Sequence, residues 1–119
     1  MKEDDNKQKL NAFRLNGRNF EYYSEDPVLS GHIAANAVKG SEDYGVYAYM
    51  KHFALNDQEG NRCDMLCTWS NEQAIREIYL KPFEKCVKDA DCQAVMSSFN
   101  YIGNRWAGGT ANLCKTVQI

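Results

Sequence analysis

The 119-residue sequence has no excess of positive charge and no long apolar run. Fourteen Lys and Arg stand against sixteen Asp and Glu, for a net charge of −2, so neither nucleic acid nor an anionic membrane is indicated as a partner. No window approaches the length of apolar sequence that a membrane span needs. With 44% hydrophobic and 25% charged residues, the composition is typical of one ordinary globular domain.

The sequence also lacks a signal-peptide pattern and a complete set of metal ligands. Residues 1–9, MKEDDNKQK, are charged throughout, and we expect them to form a solvated, disordered end. An odd number of cysteines, five, favours free thiols in a reducing cytoplasm. Cys63 and Cys67 could in principle share a metal, but no second pair completes a zinc site. We therefore expect no metal and no organic cofactor.

The first half of the sequence predicts a helix followed by a strand. Residues 10–15, LNAFRL, could form a short strand before an Asn-Gly turn. Asp26 is a candidate N-cap for a helix with Pro27 at its first position, and Gly40 is the expected end of that helix. Residues 46–54, VYAYMKHFA, predict a strand. The polar residues 55–68 predict a long loop, which is usually functional or disordered.

The second half repeats this order. Ser70 and Gln73 match a capping box at the start of a long helix, and Pro82 predicts a kink or two abutting helices at Leu80–Lys81. Residues 92–100, CQAVMSSFN, predict a second strand, residues 101–109 a loop, and residues 110–119 a further helix. Alternation of this kind predicts an α/β fold with βα units and parallel strands.

Polar side chains follow both predicted strands where the strands end. Lys51 and His52 close the first, and Ser97, Ser98 and Asn100 close the second. The carboxyl ends of parallel strands are where α/β proteins form ligand sites. No glycine-rich phosphate-binding pattern follows either strand, so a nucleotide is not indicated.

Four cationic donors lie near these loops, together with two tryptophans: Arg18, Lys51, His52, Arg62, Trp69 and Trp106. Sugars require hydrogen-bonding groups for their hydroxyls and flat apolar surface for their ring faces. Phosphate or carboxylate ligands would also suit these cations. From the residues alone, the alternatives are therefore a polyol site, an anion site or a solvated surface.

Other polar residues near these loops have simpler interpretations. His32 lies within the first predicted helix and belongs to no motif, so we expect a surface or packing role. Asp57 and Glu59 are expected to structure the long loop rather than to act as catalytic carboxylates. Trp69 and Trp106 are interpreted as packing residues before sugar platforms.

Four stretches, GRNFEYYSEDP, KHFALNDQEGNR, REIYLKPFE and AVMSSFN, resemble in order and spacing the N-terminal barrel domain of glycoside hydrolase family 3. The resemblance covers about residues 14–117. It implies that residues 10–119 form part of a (β/α)8 TIM barrel, with about two to three βα units. It also implies a β-glucosidase-like enzyme that hydrolyses O-glycosyl bonds with retention, removing terminal β-D-glucosyl or similar residues from a β-linked glucoside.

The resemblance assigns substrate-binding roles to four side chains: Arg18, Lys51, His52 and Arg62. Three further residues are implied as a candidate wall of the same site: Met96, Ser97 and Phe99. Phe99 occupies a position where β-glucosidases commonly have tyrosine, so the hydrogen bond that supports the nucleophile would be lost. The family's N-acetylhexosaminidase branch usually has a Gly-His dipeptide soon after KHF. The stretch KHFALNDQE has none, which disfavours that branch.

The catalytic carboxylates that the family uses have no counterpart in these residues. The nucleophilic aspartate belongs to a Ser/Thr-Asp-Trp/Tyr motif after a later strand, and the acid/base comes from beyond the barrel. A retaining glycosidase needs both groups, about 5 Å apart, and a complete barrel needs about 250 residues. We therefore expect part of a larger enzyme that is inactive alone. The alternatives are a non-catalytic, truncated remnant with weak sugar binding or none, which could self-associate through open sheet edges, or an anion-binding α/β module.

Lys51 and His52 are sequence neighbours, so a regular strand would direct their side chains to opposite faces. If both contact one sugar, the backbone must leave regular geometry. We therefore expect irregular backbone between Lys51 and Ala54.

Overall fold

The computed structural model describes residues 7–9, 19–110 and 115. In chain order the strands and helices are β1 Lys7–Lys9, α1 Pro27–Glu42, β2 Tyr49–Phe53, β3 Cys67–Thr68, α2 Glu72–Ala74, α3 Lys81–Ala90, β4 Val95–Ser97, β5 Tyr101–Ile102 and β6 Arg105–Trp106. A π-helical turn, Ile75–Tyr79, joins α2 to α3. The expected strand at 10–15 lies outside the described residues. Of the expected helix at 110–119, only Thr110, which is not helical, and Lys115, which is helical, are described.

A three-stranded parallel sheet, in the order β1–β2–β4, confirms the expected α/β arrangement. The chain passes through α1 between β1 and β2, and through α2 and α3 between β2 and β4. Such crossovers allow neighbouring strands to run parallel. In the part of the chain that the structure describes, no helix is long and apolar enough to cross a membrane.

The core lies between this sheet and the helix pair α1 and α3. Phe53 of β2 and Phe83 of α3 are both buried and meet edge to face, with ring centroids 5.0 Å apart. The two helices approach closely at Gly31, where an added Cβ would lie 2.7 Å from the Lys85 side chain and 3.2 Å from the Pro82 backbone. A side chain at position 31 would therefore push the helices apart.

The start of α1 confirms the predicted N-cap, but its end does not match the prediction. Asp26 Oδ1 accepts hydrogen bonds from the amides of Val28 and Leu29, at 2.8 and 3.0 Å. The helix continues past Gly40 to Glu42. Gly45, with φ of +73°, is the residue that takes a left-handed conformation after the helix, so the prediction chose the wrong glycine.

The second helical region begins one residue later than predicted and breaks where predicted. Asn71, not Ser70, is the N-cap, and its Oδ1 accepts from the Ala74 amide at 2.8 Å. The backbone hydrogen bonds then change from the α-helical spacing of four residues to the π-helical spacing of five, and the Leu80 amide donates to Ile75 O at 2.8 Å. The new helix starts at Lys81 with Pro82 in its first turn, as expected for a residue that lacks an amide hydrogen.

The expected loop at 101–109 contains two strands. β5 and β6 form an antiparallel hairpin, and β5 also pairs in parallel with β3, at the end of the other expected loop. Gly103, with φ of +60°, makes the tight turn between β5 and β6 together with Asn104. These strands have two residues each, too few for an alternating pattern to indicate them.

Candidate functional site

The end of β2 departs from regular strand geometry. The pairing with β4 shifts register between Lys51 and Phe53, the Lys51–His52 and Phe53–Ala54 peptide bonds are cis, and Leu55 has a φ of +59°. From Met50 to Phe53 no side chain is fully exposed, so the usual in–out alternation is lost. The expectation of irregular backbone between Lys51 and Ala54 is therefore confirmed.

Lys51 is a buried cation with a partly buried carboxylate beside it. Its side chain is 3% exposed, and its Nζ lies 3.5 Å from Glu21 Oε2, whose side chain is 11% exposed. Burying an ammonium group costs several kcal/mol unless an opposite charge compensates it (order of magnitude). The alternative of a solvated surface therefore does not describe the position of Lys51.

His52 is half-buried and is contacted by the loop that follows it. Its Nδ1 lies 3.3 Å from the amide nitrogen Nδ2 of Asn56, a residue that is 5% exposed. Both residues line a small cavity together with Tyr22, Leu55, Asp57, Tyr79 and Phe83. Its free volume of about 10 Å³ has room for about one water molecule. The cavity therefore surrounds one side of His52 and cannot itself hold a sugar ring.

Arg62 is fixed by one carboxylate and one aromatic ring. Its Nη1 lies 2.8 Å from Glu59 Oε2, and its guanidinium carbon lies 5.5 Å from the centre of the Phe99 ring, within the range of a cation–π contact. Phe99 follows the carboxyl end of β4. The loop therefore returns Arg62 to the end of the parallel sheet where the carboxyl termini of β2 and β4 lie, which is called the sheet edge below. Glu59 thus structures the loop, as expected.

The other residues implied for the site occupy different environments. Met96 is half-buried and pairs with Lys51 across the β2–β4 ladder, whereas Ser97 and Phe99 are exposed at the end of β4. Arg18 lies outside the described residues. The structure therefore brings Lys51, His52, Arg62 and the three candidate wall residues to one edge of the parallel sheet.

Ser98 and Asn100 have a structural role that the sequence did not indicate. Both are buried, and both donate to the carbonyl oxygen of Ala54, Ser98 Oγ at 3.1 Å and Asn100 Nδ2 at 3.2 Å. Asn100 Nδ2 also donates to Thr68 Oγ1 at 3.0 Å. These bonds hold the irregular end of β2 against β4. The available signal was the presence of two polar residues directly after an apolar strand.

The two tryptophans have structural contacts. The indole Nε1 of Trp106 donates a hydrogen bond to Ser98 O at 2.9 Å. Trp69 is exposed and lies against Gly103 at the hairpin turn. His32 is exposed on α1, as expected.

Asp57 is the residue of this edge with the clearest electrostatic perturbation. Burial raises the pKa of its carboxyl from 3.8 to about 6, although its own backbone amide partly opposes this by donating to it. Burial also raises the pKa of the Tyr79 hydroxyl, and the charge of Asp57 adds to that effect. Desolvation around the cavity therefore disfavours negative charge.

The arrangement offers hydrogen-bond donors whose charges are already balanced locally. Glu21 lies beside Lys51 and Glu59 beside Arg62, so two cationic donors stand in the structure with carboxylate partners. Among the residues that the structure describes, no three or more His, Cys, Asp and Glu side chains cluster as metal ligands would. Donors of this kind are suited to the hydroxyl groups of a neutral ligand.

Comparison with known proteins identifies the family to which this chain belongs. Residues 10–117 match the glycosyl hydrolase family 3 N-terminal domain. The chain belongs to this family. It is 43% identical over 99 residues to a β-glucosidase of Ruminococcus albus, covering 83% of this chain and 10% of that protein. It is 46% identical over 103 residues to thermostable β-glucosidase B of Acetivibrio thermocellus, covering 87% of this chain and 14% of that protein.

Solved structures agree with the sequence matches. β-Glucosidase 3B of Thermotoga neapolitana, in complex with glucose, superposes with a TM-score of 0.86 at 45% identity. That match covers 94% of this chain and 16% of the other. The β-glucosidase of Kluyveromyces marxianus in complex with glucose gives a TM-score of 0.84 at 36% identity, covering 88% and 13%. The chain thus spans between a tenth and a sixth of the length of these relatives.

Proposed function

We propose that this chain supplies the sugar-binding edge of a β-glucosidase-like enzyme that hydrolyses terminal β-linked glucosyl residues with retention. Lys51, His52 and Arg62 would donate hydrogen bonds to hydroxyls of the sugar at the non-reducing end, together with Arg18. Met96, Ser97 and Phe99 would form the wall beside it. The observation that carries the proposal is the irregular end of β2, beside which Phe99 brings Arg62 to the same sheet edge.

The proposal extends to the architecture around this edge. We propose that β1, β2 and β4 are neighbouring strands of a (β/α)8 barrel, of which these residues form about two to three βα units. Parallel order and helical crossovers support this assignment. The nucleophile and the acid/base would come from other parts of the enzyme, because these 119 residues contain no Ser/Thr-Asp-Trp/Tyr sequence.

The balanced charges favour a sugar over an anion. An anion-binding module would need cations with uncompensated charge, whereas the Lys51 and Arg62 side chains stand beside Glu21 and Glu59. A ligand with negative charge would have to compete with two carboxylates. A neutral polyol accepts hydrogen bonds without this repulsion.

A chimera tests the proposal within a complete active site. The segment of the Thermotoga neapolitana enzyme that superposes on this chain would be replaced by this sequence, and hydrolysis of a chromogenic β-glucoside measured. We expect turnover in the chimera. Lys51→Met should lower kcat/KM about 100-fold, since one well-placed donor contributes on the order of 3 kcal/mol to the barrier. Lys39→Met, on the exposed face of α1, is the matched control and should retain activity.

Two results would contradict the proposal. One is a folded chimera without turnover. The other is equal kcat/KM for the two lysine variants. The isolated chain provides a separate measurement: we expect no turnover at high concentration, whereas turnover that Lys51→Ala abolishes would show that these residues carry a catalytic centre of their own.

A further inference from the structure

The hairpin that follows β4 places a flat aromatic ring beside the candidate wall of the sheet edge. Trp106, the last residue of β6, donates from its indole Nε1 to the backbone carbonyl of Ser98 at 2.9 Å. Ser98 lies in the chain between Ser97 and Phe99, two residues of that wall. The indole therefore lies next to the site proposed for the sugar at the non-reducing end.

Backbone covers one face of the Trp106 ring. A Cβ added to Gly108 would lie 2.5, 2.6 and 2.9 Å from three consecutive carbons of the six-membered ring, Cη2, Cζ2 and Cζ3. Three distances this similar place Gly108 over the ring face, because beyond the ring edge they would differ much more. Nevertheless, Trp106 is 46% exposed. This exposure lies mostly on the opposite face and the ring edges, so one flat apolar surface is open.

The hairpin fixes the position of this ring. Trp106 pairs with Tyr101 across the β5–β6 ladder. The amide of Ala107 donates to Asn100 O at 3.1 Å, and Thr110 Oγ1 donates to Trp106 O at 3.0 Å. Asn100 has no exposed surface. A side chain that is already held by its ring nitrogen and its backbone loses little conformational freedom when a ligand packs against it.

We infer that Trp106 is a platform for a second carbohydrate ring, the leaving-group sugar of a β-linked glucose disaccharide or longer glucoside. The apolar face of a pyranose ring can pack on a flat aromatic surface. The contact is one of stacking, because Nε1 is already bonded to Ser98 O. The inference rests on the proposed function, in which Lys51, His52 and Arg62 would hold the first sugar and Trp106 the next.

Leaving groups of different size test this inference in the chimera with the Thermotoga neapolitana enzyme. β-D-Glucosyl fluoride has a leaving group without a ring, whereas cellobiose releases a second glucose. Trp106→Ala should lower kcat/KM for cellobiose about tenfold, mainly through KM, and should change that for glucosyl fluoride by less than about twofold. The control is Tyr47→Ala. Tyr47 is a 76% exposed aromatic residue near the amino end of β2, and its replacement should leave both substrates unaffected.

Two further variants separate stacking from packing. Trp106→Phe keeps a flat ring but cannot donate to Ser98 O, and should retain cellobiose kcat/KM within about threefold of the wild type. Trp106→Leu keeps an apolar side chain over Gly108 but has no ring. It should show the same selective loss for cellobiose as Trp106→Ala, and it replaces that variant in the comparison if Trp106→Ala does not fold.

The two substrates distinguish a failure of the inference from a failure of the proposed function. An equal loss for both substrates would assign Trp106 a purely structural role and overturn the inference. Unchanged cellobiose kcat/KM in the Ala or Leu variant would overturn it as well. Either result leaves the proposed function standing, provided that the unsubstituted chimera hydrolyses glucosyl fluoride. A chimera that hydrolyses neither substrate would contradict the proposed function, and this inference with it.

Discussion

Ser98 and Asn100 share the carbonyl oxygen of Ala54 as a hydrogen-bond acceptor. We therefore expect the effects of replacing these two residues on the free energy of unfolding to be coupled. Ala54 has no exposed surface and closes the irregular end of β2, and its carbonyl accepts from both side chains. Either donor can satisfy the carbonyl when the other is removed. Removing both leaves a buried acceptor with neither of these partners, which costs more than the sum of two separate losses.

The distances set the size of each change. Ser98→Ala removes one hydrogen bond of 3.1 Å and should lower the free energy of unfolding by about 1 kcal/mol. Asn100→Ala removes two bonds, of 3.2 and 3.0 Å, and empties part of a fully buried site. The expected loss is about 2–3 kcal/mol. The double variant should lose about 1–2 kcal/mol more than the sum, which is the cost of desolvating an unsatisfied carbonyl.

Urea unfolding of the four proteins, followed by circular dichroism, gives the coupling energy directly. A second cycle that combines Ser98→Ala with Ser41→Ala is the control, because Ser41 Oγ donates to a different acceptor, Ala37 O, at 2.9 Å. That cycle should be additive. Additivity in the Ser98–Asn100 cycle would refute the reasoning, since it would mean that the two donors do not share an acceptor in solution.

Three further predictions follow from burial and close packing. The pKa of Asp57 is raised to about 6 in the folded state, so folding favours the protonated carboxyl and stability is lost as pH rises from about 4 to 6. Asp57→Asn should remove that loss. The variant should therefore be more stable than the wild type by at most about 3 kcal/mol in urea unfolding at pH 7, and no more stable below pH 4. Burial raises the Cys86 pKa from 9.0 to about 12, which gives about 1000-fold less thiolate than a cysteine with the ordinary pKa has. Iodoacetamide should therefore label the exposed Cys63 in the native protein, but Cys86 only after unfolding. Gly31→Ala should lower the free energy of unfolding by about 1–3 kcal/mol in urea, because the added Cβ would lie 2.7 Å from the Lys85 side chain of α3. Gly40→Ala is the control on the same helix. Its Cβ would meet nothing within 4 Å, so it should raise the free energy of unfolding by about 0.5–1 kcal/mol.

The sequence predicted those features that depend on local chemistry. Asp26 before Pro27 fixed the start of α1, and Pro82 fixed the break before α3, because a capping carboxylate and a missing amide hydrogen act within a few residues. The irregular end of β2 was predicted for a different reason. Two neighbouring polar side chains could serve one ligand only if the strand was distorted.

The features that the sequence did not predict depend on contacts between distant residues. Ser98 and Asn100 lie 44 and 46 positions from Ala54, and nothing near them shows that their common acceptor is a strand end. Glu21 and Lys51 are likewise separated by 30 positions in the chain. Only packing of the sheet brings these groups together, so their pairing requires the tertiary structure.

The ion pairs at the sheet edge relate these distant contacts to the ligand that the edge can bind. Burying the charge of a lysine that is 3% exposed is costly unless a carboxylate lies beside it, and Glu21 provides one at 3.5 Å. The same carboxylate balances the charge of Lys51, as Glu59 does for Arg62. Burial nearby raises the pKa of Asp57 and so disfavours a further negative charge. An anionic ligand would bring such a charge, whereas a neutral polyol could accept hydrogen bonds from the lysine and arginine while both retain their carboxylate partners. We therefore propose that this charge balance favours a neutral polyol over an anion, with a buried Lys51 and a partly exposed Arg62 each beside its own carboxylate.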